Sequence, residues 1–180
     1  MRDWRESLFP SLIFFTILSP IFLLLPLVAL SNPQGVLCEV RRVIDGETLL
    51  LTNGQKVRLI GVDTPELDRA FARALVEKRR VRLEFDPRNV YINHRDRCGS
   101  VLAYVYVSRG NLGKEALQKY GYKTRAPAVF MLNAEIIRQG YGFTYTRFPF
   151  RYKEEFRHYE KEARENGRGL WKSKAHSQKS

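Results

Sequence analysis

The chain is poor in the residues that build metal or disulfide frameworks. It has two cysteines, Cys38 and Cys98, no Cys-x-x-Cys pair, and three scattered histidines, His94, His158 and His176. A structural zinc site of the usual spacing is thereby excluded. Number and spacing leave it open whether the two cysteines pair in an oxidising compartment. Internal repeats and a glycine-rich loop are also lacking. No Asn lies five residues beyond the Asp of His94-Arg95-Asp96, so that triplet is no kinase catalytic loop. Acidic residues are the other deficit. Asp and Glu total 19 against 31 Lys and Arg, a formal net charge of +12 and a pI of about 10.0. Arg2 and Arg5 cancel Asp3 and Glu6, so the whole excess sits on residues 32–180. A domain this basic attracts polyanions, chiefly nucleic acid or an anionic membrane surface. Charge that merely keeps a protein soluble is the plainer reading.

Charge is missing altogether from Leu8 to Leu30, a run of 23 residues. That is long enough to cross a bilayer, which needs about 20 residues, and longer than a usual signal-peptide core of about 7–15. Ala29-Leu30-Ser31 nevertheless offers small residues where a signal peptidase reads them. Pro20 and Pro26 interrupt the run, and the flanking charges leave orientation undecided. No polar face appears in it, which argues against a buried core helix. Residues 1–31 are therefore expected to be a signal peptide or a membrane anchor. Either places the remainder outside the cytoplasm: secreted, periplasmic, or membrane-anchored through residues 8–30.

Beyond the turn-rich linker Ser31–Gly35, short strand-like runs follow. Val36–Ile44, Glu47–Thr52 and Gln55–Val62 are joined by Asp45-Gly46 and Asn53-Gly54, both strong turn signals, and predict a β-meander. Leu67–Lys78 has Leu67, Phe71, Leu75 and Val76 at helical spacing. Val81–Phe85 alternates as a strand, and Val101–Val107 is rich in β-branched and aromatic residues. Gly113–Tyr120 reads as a short helix, and Ala128–Gln139 as a firm one ended by Gly140. Arg151–Asn166 reads as a long amphipathic helix, and residues 172–180 as a disordered polar tail. Five short strands with one helix inserted late suit a small closed Greek-key barrel, the OB-fold, with packed helices over residues 36–171. A mixed α+β sandwich is the competing architecture.

Three motifs carry chemistry: Val43-Ile44-Asp45-Gly46-Glu47-Thr48, then Arg58-Leu59-Ile60-Gly61-Val62-Asp63-Thr64-Pro65-Glu66, then Asp96-Arg97-Cys98-Gly99-Ser100-Val101-Leu102-Ala103-Tyr104. Each has a structural reading. Asp45-Gly46 suits a type I′ hairpin turn. Thr64-Pro65-Glu66 suits a helix start, with Thr64 as N-cap. Asp96–Gly99 suits a polar loop. Taken together they supply acidic oxygens for a hard cation (Glu47, Asp63, Glu66) and an arginine, Arg58, for a phosphate. Phosphodiester cleavage needs such parts.

In this order, with Leu83-Glu84-Phe85-Asp86 between the second and third, the motifs resemble the staphylococcal (micrococcal) thermonuclease family. The likeness runs from about Glu39 to Tyr106, resumes at Leu132–Gly140 and closes on Gly169-Leu170-Trp171. The resemblance implies an OB-fold α+β domain. It implies hydrolysis of DNA and RNA that depends on Ca²⁺, with Mg²⁺ or Mn²⁺ as alternatives, leaving 3′-phosphates. Carried over by motif, Glu47 and Asp63 are metal carboxylates, Thr64 ligates through its carbonyl, and Asp45 supports the metal. Glu66 is the general base or water-positioning carboxylate, and Arg58 grips the phosphate. A monomer is expected.

Two departures stand out. Glu47 replaces the family's Asp, which lengthens the ligand arm by one methylene. Ser100 stands where the family has a second arginine, after the glycine of D-x-x-G. Losing such a clamp costs about 3–4 kcal/mol of transition-state stabilisation by analogy with oxyanion donors. Arg95 or Arg97 is the candidate substitute. The excursion Ser108–Phe130 carries Lys114, Lys119, Lys123 and Arg125, and reads as a solvated loop, a wider basic surface or a cover over the site. Aromatics from Tyr141 to Tyr159 alternate with Arg147, Arg151 and Lys153. They suit packing of the last helix, with Tyr145 and Arg147 as candidates to reach nucleic acid by stacking and charge. The competing functions are a metal-dependent nuclease, a catalytically silent nucleic-acid-binding module, and a membrane-tethered structural or assembly protein.

Overall fold

The computed structural model describes residues 35–65, 69–120 and 127–172. The expected signal or anchor segment, the tail beyond Lys172 and the candidate base Glu66 lie outside the described residues.

The barrel strands are β1 (Val36–Val43), β2 (Thr48–Leu51), β3 (Lys56–Leu59), β5 (Arg80–Glu84) and β6 (Val101–Ser108); a short β4 (Val62–Asp63) and helix α1 (Ala70–Val76) fall between β3 and β5. Helix α2 (Lys114–Lys119), β7 (Val129–Met131), α3 (Leu132–Arg138), β8 (Phe143–Thr144) and α4 (Lys153–Glu165) complete the order. The strands run β3-β2-β1-β5-β6, and a parallel β3–β6 pairing closes them into a five-stranded barrel. Closure removes the free edges, the solution expected of an OB-fold. β1 makes this possible by serving two partners. Val36–Glu39 pairs with β5, the other half pairs with β2, and the register slips between Val40 and Arg42. Such a bulge bends the strand round the barrel. Alternating residues of β5 and β6 point inward, so Val81, Leu83, Ala103, Val105 and Val107 join Val40, Leu49, Leu51, Val57 and Leu59 in the core.

The third predicted strand, Gln55–Val62, is two strands. Gly61 takes a φ of +73°, a conformation that costs other residues strain. The chain turns there, and β4 pairs with β8 rather than with the barrel. The predicted helix Ala128–Gln139 is corrected likewise. Its first part is β7, laid along β6 with Val107 opposite Phe130, and the helix starts only at Leu132. Sheet pairing with an available edge overrides the helical pattern. Cys38 and Cys98 are free thiols. No helix among the described residues is long and apolar enough to cross a membrane.

Asn133 joins α3 to the barrel where β3 and β6 meet. Fully buried, it donates to the carbonyls of Ile60 (3.0 Å) and Ala103 (3.2 Å) and accepts from Val105 N–H at 2.9 Å. Asp86, also fully buried, ties the barrel to the approach to α4. It accepts from the Tyr104 hydroxyl at 2.5 Å, Arg151 N–H at 2.7 Å and Arg88 N–H at 2.9 Å. Burial raises its pKa, but these three donors outweigh burial and hold it below the usual carboxylate range.

Candidate active site

The β1–β2 connection brings the first two motifs together. Neither Asp45 nor Gly46 has a positive φ, so the turn is not the type I′ hairpin that Asp-Gly suggests. The Asp45 carboxylate instead accepts Glu47 N–H at 3.0 Å, an Asx turn. Gly46 is required for another reason. A Cβ there would lie 2.5 Å from Thr64 Oγ1. Its absence lets the loop press against Thr64 and places Glu47 in reach of it.

Glu47 is the hub. Its Oε1 meets Arg58 Nη2 at 2.5 Å, and its Oε2 accepts Thr64 N–H at 2.7 Å. Its side chain is 9% exposed, that of Arg58 34%. Arg58 stands on β3 opposite Thr48 of β2 and Leu102 of β6. Burial pushes the Glu47 pKa up; Arg58 and Thr64 N–H oppose this, and the nearby Asp63 and Asp45 charges add to it. Asp63 is exposed on β4, opposite Phe143 of β8. Pro65 is not helical, so Thr64 does not cap a helix that starts there.

The third motif is a self-contained loop. Asp96 accepts both Cys98 N–H (2.9 Å) and Ser100 N–H (2.8 Å), and Ser100 is 6% exposed. Ser100 leads directly into β6, whose Val101 and Leu102 lie opposite Val57 and Arg58. Arg95 Nη1 donates to Gly99 O at 2.7 Å, which directs it onto its own loop. Arg97 is exposed. Tyr145 donates its N–H to Gly61 O at 3.0 Å and is half-buried next to β8. Arg147 is exposed and lies over the Phe148 ring. Most other rings of that stretch pack. Tyr141 stacks on Phe71 at 4.4 Å, Phe143 meets Trp171 edge-on, and Phe150 and Tyr152 lie against Phe156.

The structure thus unites Asp45, Glu47, Arg58, Asp63 and Thr64 at one end of the barrel. Among the described residues no three acidic, histidine or cysteine side chains converge closely enough to hold a cation. The donors that do approach are oxygens, which suit a hard divalent ion rather than zinc or copper. Sequence reasoning did not single out Gly46 as the contact that brings the motifs together; no local pattern signals a close approach to a residue eighteen positions away.

A closed five-stranded barrel with packed helices, bearing a carboxylate and arginine cluster at one end, defines an OB-fold α+β domain. Residues 56–173 match the staphylococcal nuclease homologue family, and the chain belongs to it. That span holds Arg58, Asp63, Thr64 and Glu66, while Asp45 and Glu47 precede it. The chain is 28% identical over 159 residues to a thermonuclease of Staphylococcus hyicus, covering 79% of each chain. It is 32% identical over 138 residues to a micrococcal nuclease of Shigella flexneri, covering 74% of this chain and 72% of that one. It is also 34% identical over 109 residues to a thermonuclease of Staphylococcus intermedius, covering 49% and 62%.

Proposed function

We propose that the protein is an exported, metal-dependent endonuclease that hydrolyses DNA and RNA backbones, at a rate reduced by Ser100. The supporting observation is the convergence of Glu47, Arg58, Asp63 and Thr64 in a chain of the nuclease family. Glu47, Asp63 and the Thr64 carbonyl would hold the cation, Ca²⁺ foremost, with Asp45 behind them. Bound there, the cation supplies neutralising charge for the phosphate. Arg58 leaves Glu47 to grip the phosphate, a bidentate acceptor that competes well with a single carboxylate oxygen. Glu66 orients or deprotonates the attacking water. Arg95 or Arg97 replaces the missing second arginine in part, and Tyr145 and Arg147 hold the strand beside the site.

The test is cleavage of single-stranded DNA, duplex DNA and RNA by the purified full-length chain with Ca²⁺, Mg²⁺, Mn²⁺ or chelator. Metal-dependent cutting is expected. Glu66→Gln is expected to abolish it, and Ser100→Arg to raise it, by up to about 10²–10³-fold if the new donor reaches the phosphate. No cutting with any ion would defeat the proposal. Export rests on the uncharged Leu8–Leu30 run. Fractionation of the producing cells checks it: full-length protein confined to the cytoplasm would refute export.

A second reading is favoured by two observations, Ser100 in place of an arginine and Arg58 already engaged by Glu47. It is a nucleic-acid-binding module without catalysis, recognised by salt-sensitive binding and no cutting.

A further inference from the structure

A cleft of about 750 Å³ opens between α1 and α2, away from the motifs that carry the family resemblance. Among the described residues five cations line it, Arg69, Arg73, Lys78, Arg79 and Lys114, against one carboxylate, Glu77. Glu77 is engaged: Oε2 accepts Val43 N–H at 3.1 Å and Oε1 accepts Arg73 Nε at 3.0 Å, which leaves the other four cations of the cleft without a carboxylate partner among the described residues. Arg79 donates through Nη1 to Asn111 O, while its Nε is buried with no hydrogen-bond partner among the described residues. A buried donor left unmade is a cost to the fold. Lys78 holds a φ of +59°. Strain of that kind in a side-chain-bearing residue collects at ligand sites. A smaller recess of about 190 Å³ shares Arg69, Arg73 and Glu77 and adds Arg42 and Val43. It therefore leads from the cleft to the end of β1, two residues from Asp45.

We infer that this cleft is a second backbone-binding subsite that holds the phosphates of a single-stranded polynucleotide a few nucleotides from the Glu47–Arg58 cluster. Several cations share one open cleft that is large for a single small anion, which suits the repeated charges of a chain of phosphates. The adjoining recess reaches Val43, in the strand that leads to Asp45 and Glu47, which favours a polynucleotide over a lipid surface. The excursion that supplies α2 thus widens the basic surface. The identity of the occupant rests on the nucleic-acid reading of the cluster; the cleft itself does not.

The experiment measures anisotropy of fluorescent tetrameric and dodecameric oligothymidylate with the full-length chain, in chelator, across a salt series. Lys78→Gly removes a charge and relieves its backbone, and Lys114→Glu reverses an exposed one, so the double variant keeps its fold; its melting temperature confirms this. The dodecamer is expected to bind the parent at least tenfold more tightly than the tetramer. In the double variant that advantage shrinks about tenfold, and the dodecamer's log–log salt slope falls by about 1.4, at roughly 0.7 per lost phosphate contact. Tetramer binding stays as it was. An unchanged dodecamer slope, an equal loss for both lengths, or no length advantage in the parent each overturns the assignment. So does a defect seen only with phosphatidylserine vesicles, which would make the cleft a membrane contact. Metal-dependent cutting of the tetramer is followed separately. Its failure would strike the nuclease proposal alone, and survival of the length advantage in the double variant would strike the cleft alone.

Discussion

At the residue scale Glu47 does two jobs that oppose each other. In the proposed nuclease it ligates a cation, yet its carboxylate is nearly buried and already shared by Arg58 and Thr64 N–H. Its pKa is raised, with burial as the main cause. The sign follows. A raised folded pKa means that Glu47 favours folding most when protonated, below about pH 4.3, and that this contribution is lost as pH rises through the folded value. At neutral pH the ionised form is therefore a cost. Glu47→Gln is expected to leave stability unchanged or raised by up to about 1 kcal/mol at neutral pH, with the two proteins converging in acid. It is expected to weaken divalent-ion binding about tenfold or more, since affinity follows ligand charge. Thermal melts and calorimetric titration with Ca²⁺ check the two halves. A large loss of stability at neutral pH would show that the Arg58 pair outweighs burial. The motif around Glu47 was plain in the sequence. Its engagement by Arg58 and Thr64 was not, because that depends on the bare Cα of Gly46.

At the scale of elements, buried polar side chains decide how helices sit on the barrel. Asn133→Ala would orphan Val105 N–H and the carbonyls of Ile60 and Ala103 where β3 meets β6. Three unmade bonds in a dry core are expected to cost about 2–4 kcal/mol, measurable by urea unfolding. Asp86 adds a pH dependence of opposite sign to Glu47. Its folded pKa is depressed, so its contribution is full above about pH 4 and is lost as pH falls through the folded value. Asp86→Asn should therefore be less stable than the parent at neutral pH, by about 2 kcal/mol, and the gap should close in acid. A gap that persists well below the ordinary carboxylate range, where the depressed Asp86 is protonated too, would assign the cost to shape rather than charge. The barrel strands were legible because β5 alternates and β6 is rich in β-branched and aromatic residues. β7 was not, because Val129, Phe130 and Met131 extend the apolar spacing of α3, and only the edge of β6 distinguishes strand from helix there. β8 is two residues long and exists only by pairing with β4. The helical turn Pro87–Ile92 did have a signal: Asp86 caps Arg88 N–H just before a proline.

For the whole molecule the telling quantity is the charge of +12, all of it outside the first 31 residues. A basic barrel that engages a polynucleotide along the Glu47–Arg58 cluster and the α1–α2 cleft releases one set of counterions per phosphate held. A barrel that serves only as a scaffold releases almost none. For about five phosphate contacts the single-strand slope is about −3.5, and affinity falls roughly 100-fold between about 50 and about 200 mM salt. That loss is the expected outcome for the full-length chain and oligothymidylate in chelator, where cutting cannot intervene. It is expected whether or not Ser100 has cost the chain its catalysis, since the slope counts every phosphate held and one missing arginine removes only about 0.7 of it. A slope near zero, or affinity too weak to measure at low salt, would sink both the nuclease and the binding-module readings together. It would leave the membrane-tethered scaffold, in which the excess of lysine and arginine faces an anionic bilayer or nothing at all.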